Sequence, residues 1–238
     1  MAAITSRVEL GILVMAMPFR NPALLAKLAA TLEEVSGGRL ILGVGCGWHE
    51  PEFDAFGFPF DHRVGRFEEA LSILLPAVRD GRAAFDGRWH AARDVEILPR
   101  YSRPDGRATP ILIAGNRPRM LELVARHADA WNAAWLGPAS QLPRRLAPLQ
   151  AALAAVGRHP ATLEVTVGIN VVLPEFADEE HPPLEITEST ITRSPEQIAA
   201  ELRAYAALGV GHVQVALEPT TPPAVRHLGE ALALFRAG

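Results

Sequence analysis

The chain is short of the residues and patterns that many functions require. It has one cysteine, Cys46, in 238 residues, so no internal disulfide can form and a reducing compartment such as the cytoplasm is expected. No apolar run approaches ~18 residues, the length that spans a bilayer. No basic leader precedes an apolar core at the N-terminus either, so no membrane contact is expected. Lys and Arg number 23 against 27 Asp and Glu, a net charge of −4 with the signs mixed along the chain. Nothing forms a basic stripe interleaved with aromatic residues, and nucleic acid is not an expected partner. The eight histidines (49, 62, 90, 127, 159, 181, 212 and 227) make no H-x-H or H-E-x-x-H pattern, so no metal is expected. There is no G-x-S-x-G elbow and no Cys–His pairing, which leaves acyl transfer unsupported. Asp178-Glu179-Glu180 reads as an exposed acidic loop.

What the chain does have is apolar residues in repeating blocks. Hydrophobic residues make up 49% and charged residues 21%, enough for a large core in one α/β domain spanning residues 1–238. Val8 to Met15 is a run of strand length. Asn21-Pro22 then supplies a helix cap and a first-turn proline, and the helix stops at Gly37. Along it, Leu24, Leu25, Leu28, Leu32 and Val35 recur at helical spacing. Further strands are read at 39–44, 111–114, 130–134, 163–173 and 212–217. Helices are read at 63–75, with Asp61 as cap and Pro76 ending or kinking it, and at 119–126, 141–156, 195–208 and 224–235. Between them, Gly81, Gly87, Pro99, Pro104 and Gly106 break residues 80–108 into short β-like pieces, as in an insertion.

Strands followed by helices imply parallel β-α units. Six are counted, whereas a closed TIM (β/α)8-type barrel needs eight. The reading is therefore an incomplete barrel lacking about two N-terminal units, with an open doubly wound sheet as the alternative. The most informative stretch is Ser36 to Glu69, where a buried strand at Leu40 to Val44 runs into Gly43, Gly45 and Gly47 and then Trp48. Glycine there permits close backbone approach, and strand ends are where α/β enzymes keep their chemistry.

Taken in order, TSRVELGILVMAMPFRNPALLAKLAATLEEVSGGRLILGVGCGWHEPEFDAFG, PILIAGNRPRMLELVARHADAWN and SPEQIAAELRAYAALGVGHVQV resemble the bacterial luciferase-like monooxygenase superfamily. The likeness is to its F420- and FMN-dependent oxidoreductases. It implies a barrel with an insertion and places Met1 just before the family's third strand. It also implies a flavin or deazaflavin cofactor acting on a small organic substrate, by hydride transfer or by oxygenation with reduced FMN from a partner reductase. GVGCGWHEPEF and GNRPRMLELVARHADAWN look most like the F420 branch, which gives F420 a slight preference over FMN. Homodimerisation is common among such relatives. A non-catalytic or ligand-binding remnant is the alternative that six units leave open.

The resemblance also implies site residues. A bulge with a non-prolyl cis peptide at Leu13-Val14 would form the bed for the ring; otherwise this is an ordinary buried strand. Gly45, Cys46, Gly47 and Trp48 would lie at the mouth of the next strand, against the pyrimidine end of the ring or the ribityl chain. No lysine or arginine neighbours Cys46 in sequence, so it is read as a small lining residue or buried hydrophobe and not as a nucleophile. Trp48 either walls the pocket or covers the rim. Gly115 and Asn116, ahead of a helix, would receive the cofactor phosphate, although Asn116 also reads as a plain helix cap. Asn132 and Ala133 are the next lining positions, and Asn132 would bond the ring edge or satisfy backbone. His49 and Glu50 are a proton donor and acceptor or a solvated loop. No catalytic residue is assigned.

Overall fold

The computed structural model of the chain describes residues 1–98, 100, 103–182 and 185–238, so Pro99 of the expected insertion lies outside the described residues. The chain forms two compact units, Met1–Asp129 and Ala130–Gly238. Both are built from strands followed by helices, and every pairing within their main sheets is parallel.

In the first unit, β1 (Leu10–Gly11) and β2 (Met15–Ala16) both pair with β3 (Leu40–Gly45), which pairs on its other side with β6 (Ile111–Ala114). The expected single strand at residues 8–15 is thus two short pieces. Gly11 faces Ile41 and Met15 faces Val44, so Ile12, Leu13 and Val14 stand opposite only Leu42 and Gly43. One extra residue on one strand is a β-bulge, and it turns this segment out of the ladder. The Leu13–Val14 peptide within it is cis.

α1 (Pro22–Ser36) begins as the sequence indicates. Asn21 Oδ1 accepts from the Ala23 and Leu24 amides at 3.0 Å, and Gly37 closes the helix in the left-handed conformation. Its buried stripe, however, is Leu25, Ala26, Ala29 and Glu33, while Leu24, Leu28 and Val35 are exposed. The cause is Glu33. Its carboxylate, 1% exposed, accepts from Arg103 Nη1 and Thr109 Oγ1 at 2.7 Å and from the Leu40 amide at 3.1 Å. These partners hold the Glu33 face inward at the start of β3.

Three further features differ from the sequence reading. α2 (Glu50–Phe56) is an additional short helix in the charged, aromatic segment. α3 (Arg63–Asp80) runs through Pro76 and is preceded by His62, while Asp61 bonds Arg66 at 3.0 Å instead of capping the helix. The insertion is an antiparallel hairpin, β4 (Arg82–Asp86) and β5 (Ala91–Glu96). Its tip is pinned to α3, where the Glu69 carboxylate accepts from the Arg88, Trp89 and His90 amides at 2.7–3.0 Å. Trp89 packs over Gly65, where a methyl group would stand 2.9 Å from the indole. α4 (Pro118–His127) ends the unit.

The second unit contains β7 (Ala130–Leu136), α5 (Pro143–Ala155), β8 (Glu164–Val172), β9 (Thr190–Ile191), α6 (Pro195–Ala207), β10 (Val210–Glu218) and α7 (Pro222–Ala237). β8 lies between β7 and β10, and β9 adds to its C-terminal end. Val167, Ile169 and Val171 are fully buried on one face of β8. The Tyr205 hydroxyl of α6 donates to the Gly137 carbonyl at 2.7 Å and fixes the loop that follows β7. No helix among the described residues is long and apolar enough to cross a membrane.

Candidate functional site

The three glycines of β3 and its exit each make room for a specific neighbour. A methyl group on Gly43 would run into the Ile12 carbonyl oxygen and stand 3.2 Å from Val14 Cγ1. One on Gly45 would stand 3.0 Å from Val14 Cγ2. Glycine at these positions therefore seats the bulge, with Val14 lying across the strand. Gly47 has φ +73°, which L side chains rarely adopt, and the Phe53 ring fills the space beside it. The glycine pattern and the bulge are one device, visible from opposite strands.

β3 and β6 are parallel neighbours, so their C-terminal exits leave the sheet side by side. Gly45 approaches the Ala114 carbonyl, and the chain then continues as Cys46 on one strand and Gly115 on the other. Gly115, at φ +155°, lets the chain turn directly into α4, where Met120 fills the volume a side chain would take. Asn116 is exposed and is not the helix cap. That position is Arg117, and no side chain caps the helix. α4 thus starts with Pro118 and an uncapped positive dipole end next to a glycine, an arrangement suited to an anion. Trp48 is 82% exposed and touches the His49 ring edge-on at 5.0 Å. His49 precedes α2 and Glu50 begins it, both exposed.

Cys46 is partly buried, and folding corrects the expectation that no cation influences it. Burial pushes its thiol above the ordinary value, while the guanidinium of Arg63, at the start of α3, pulls the other way and does not prevail. Sequence reasoning missed Arg63 because it is remote from Cys46 along the chain. Its guanidinium carbon sits 3.6 Å above the Phe60 ring centroid. Phe60 in turn meets Phe53 edge-on at 5.1 Å, and Phe53 meets Phe19 at 4.6 Å in a tilted contact, so the arginine rests on an aromatic cluster rooted in the core. Arg63 Nε is buried without a hydrogen-bond partner.

In the second unit, Asn132 is 2% exposed and its Nδ2 donates to Thr166 Oγ1 and Gln214 Oε1, both at 2.8 Å. The Thr166 hydroxyl donates to the Trp131 carbonyl at 3.2 Å, and Asn132 Oδ1 is left buried without a partner. These side chains form a polar row across β7, β8 and β10. Ala133 follows Asn132 directly on the strand, so its side chain faces the other way and only its backbone can share that row. The Ala134–Trp135 peptide is cis. Thr166 and Gln214 were not candidates from sequence, since a single polar residue in a strand carries no signal until pairing aligns it. Among the described residues, no group of three or more His, Cys, Asp or Glu side chains could hold a metal ion.

Comparison with known proteins gives a consistent result. Residues 1–181 match the family model described as luciferase-like monooxygenase. A phthiodiolone/phenolphthiodiolone dimycocerosates ketoreductase from Mycobacterium sp. (strain JLS) is 32% identical over 177 residues, 73% of this chain and 45% of that protein. Pyrimidine monooxygenase RutA from Cronobacter sakazakii is 28% identical over 184 residues, 75% of this chain and 51% of that protein. The chain spans about half the length of the curated relatives it matches. Among solved structures, the coenzyme F420-dependent tetrahydromethanopterin reductase of Methanopyrus kandleri superposes with a TM-score of 0.79 at 18% identity, covering 98% of this chain and 85% of that one. EDTA monooxygenase (EmoA) from Chelativorans sp. BNC1 gives a TM-score of 0.76 at 17% identity, covering 99% and 76%. The fold is thus of the α/β, TIM-barrel type of these enzymes.

Proposed function

The chain belongs to the luciferase-like monooxygenase family, and from that premise we propose that it binds a flavin or deazaflavin as an oxidoreductase acting on a small organic substrate. The relatives are a ketoreductase and a monooxygenase, and the structural neighbours use F420 or are monooxygenases, so both chemistries stand within the family. F420 is preferred slightly over FMN, on the likeness of residues 43–53 and 115–132 to the F420 branch.

The observation that carries this reading is the bulge at Ile12–Val14 seated over Gly43 and Gly45, beside the uncapped start of α4. The residues fit such a cofactor in two respects. Leu13 and Val14 offer an apolar ledge at the strand ends, and Gly115, Asn116 and the α4 terminus offer a place for a phosphate. Gly45, Cys46, Gly47 and Trp48 would border the ring from the β3 exit. Asn132, with Ala133 through its backbone, is a separate candidate lining position within the second unit. When bound, the cofactor carries hydride or, in its reduced form, activates oxygen. The protein's part is to hold the ring flat on Leu13 and Val14, anchor the tail at α4 and present acceptors and donors to the ring edge. No side chain is assigned to proton transfer, since His49 and Glu50 are both exposed.

Titration of the chain with F420 and with FMN, followed by absorbance and fluorescence, tests the proposal. Saturable binding of one equivalent, tighter for F420, is expected; saturation by neither ligand ends the reading. A second reading, binding without turnover, draws support from the edge of the first unit. There an open apolar groove of about 340 Å³ lies between β1 and α1, bordered by Ile12, Leu28, Leu32 and Ile41. Binding with no oxidation or reduction of any added carbonyl, alcohol or pyrimidine would favour that reading.

A further inference from the structure

Arg63 stands out among the charged groups of the first unit. Its Nε is buried and unbonded, and among the described residues no carboxylate lies within 4.0 Å of its guanidinium. Arg103 makes the contrast plain. Its Nε is equally buried and unbonded, yet its head group is neutralised by Glu33 at 2.7 Å, with Asp105 at 3.7 Å. Arg66 and Arg119, close by in sequence or on the neighbouring helix, are paired with Asp61 and Glu68 at 3.0 and 2.6 Å. Arg63 is part-exposed, so only its Nε is withdrawn from water; burying that N–H without an acceptor is costly, and packing on one phenyl ring recovers only part of the cost. The stack also fixes orientation. With one face on Phe60, the guanidinium can use only its edge, whose N–H donors lie in one plane and suit two oxygens of one group. That edge lies at the β3 exit, within reach of the Cys46 thiol.

We propose that Arg63, held flat on Phe60 at the C-terminal exit of β3, is an anion-binding residue that takes a carboxylate or phosphate group of the ligand. This goes beyond the cofactor reading, because the anion can belong to the cofactor's tail or to the substrate. Cys46, as the only cysteine, is a built-in reporter of the charge on its neighbour.

The test is alkylation of the intact chain by neutral iodoacetamide at fixed alkaline pH and matched ionic strength, with and without inorganic phosphate or acetate. Occupation of Arg63 removes its pull on the thiol and slows alkylation severalfold at a pH where the thiol is mostly protonated, because the thiolate is the reactive form. Arg63→Gln should react at the slow rate and ignore both anions, while Arg63→Lys, which keeps the charge, should retain part of the fast rate. Thermal melts of the variants establish that each is folded. FMN slowing the reaction where riboflavin does not would support the proposal and assign the cofactor phosphate. Phosphate or acetate slowing it where FMN does not would support it and assign a substrate anion. A wild-type rate unmoved by phosphate, acetate and FMN, or an Arg63→Gln variant that responds like wild type, overturns it. The outcome is separate from F420 or FMN binding itself, which the spectral titration reads directly.

Discussion

The two ends of β3 treat charge in opposite ways. At its start, Glu33 is buried with three donors around it, and its partner Arg103 is held between two carboxylates. At its exit, Arg63 packs on a phenyl ring with no carboxylate within 4.0 Å among the described residues, α4 begins without a side-chain cap, and burial pushes the Cys46 thiol up. The first end is closed upon itself, as a site serving stability should be. The second carries unmet hydrogen-bonding and charge capacity, the condition under which a ligand gains most by binding. In barrels of this type the N-terminal ends of strands serve stability and the C-terminal ends serve chemistry, and the difference in charge pairing along β3 runs in the same sense.

The largest effect that would sharpen this contrast is at the closed end. Glu33→Ala strands Arg103 in the interior and should cost about 3–5 kcal/mol, as breaking a buried pair does. Urea unfolding should show it, with little change in ligand affinity if the remaining protein is folded. Gly43→Ala comes next, because the added methyl meets the Ile12 carbonyl and Val14; overpacking of this kind costs about 1–3 kcal/mol. Unlike Glu33→Ala, it should also weaken cofactor binding, since it displaces the ledge. A cost below the error of the melt would show that the bulge is not seated on the glycine.

A smaller, pH-dependent effect belongs to Glu69, on the same helix as Arg63 but fully engaged. Desolvation works against its ionisation, yet the three amide donors of the hairpin tip outweigh it and hold its carboxyl below the ordinary value of 4.5. The folded value is depressed, so its contribution is complete above that ordinary value and is lost as pH falls through the folded one. Acid titration of stability should flatten in Glu69→Gln, and an unchanged acid limb would mean the hairpin is docked by Trp89 alone. The smallest expected change is in Arg63→Gln, within about 1 kcal/mol of wild type in stability and of either sign, because among the described residues the charge it removes has no carboxylate partner. A loss as large as that of Glu33→Ala would erase the contrast.

Much of the fold was legible because its signals are local. Asn21-Pro22, Gly37 and the apolar runs at 111–114 and 163–173 define elements within a residue or two. The exceptions have tertiary causes. α1 turns Leu24 and Leu28 outward because Glu33 is drawn inward by residues about 70 positions away in sequence. Pro76 does not end α3, whose buried residues on both sides of it hold the helix through the proline. The glycines of β3 announced a close approach, but the partner that requires glycine there is the protein's own bulge. Arg63 and the Asn132–Thr166–Gln214 row were silent, since an arginine at a helix start and lone polar residues in strands acquire meaning only through their neighbours.

Hydrogen–deuterium exchange of the intact chain with and without saturating F420 or FMN tests most directly whether the exit of β3 is the working end. Slower exchange at residues 45–48 and 115–120 on ligand addition, with residues 33–40 and 103–109 unchanged, is the predicted result. Protection confined to the Glu33 end, or binding that leaves residues 45–48 and 115–120 untouched, would contradict it.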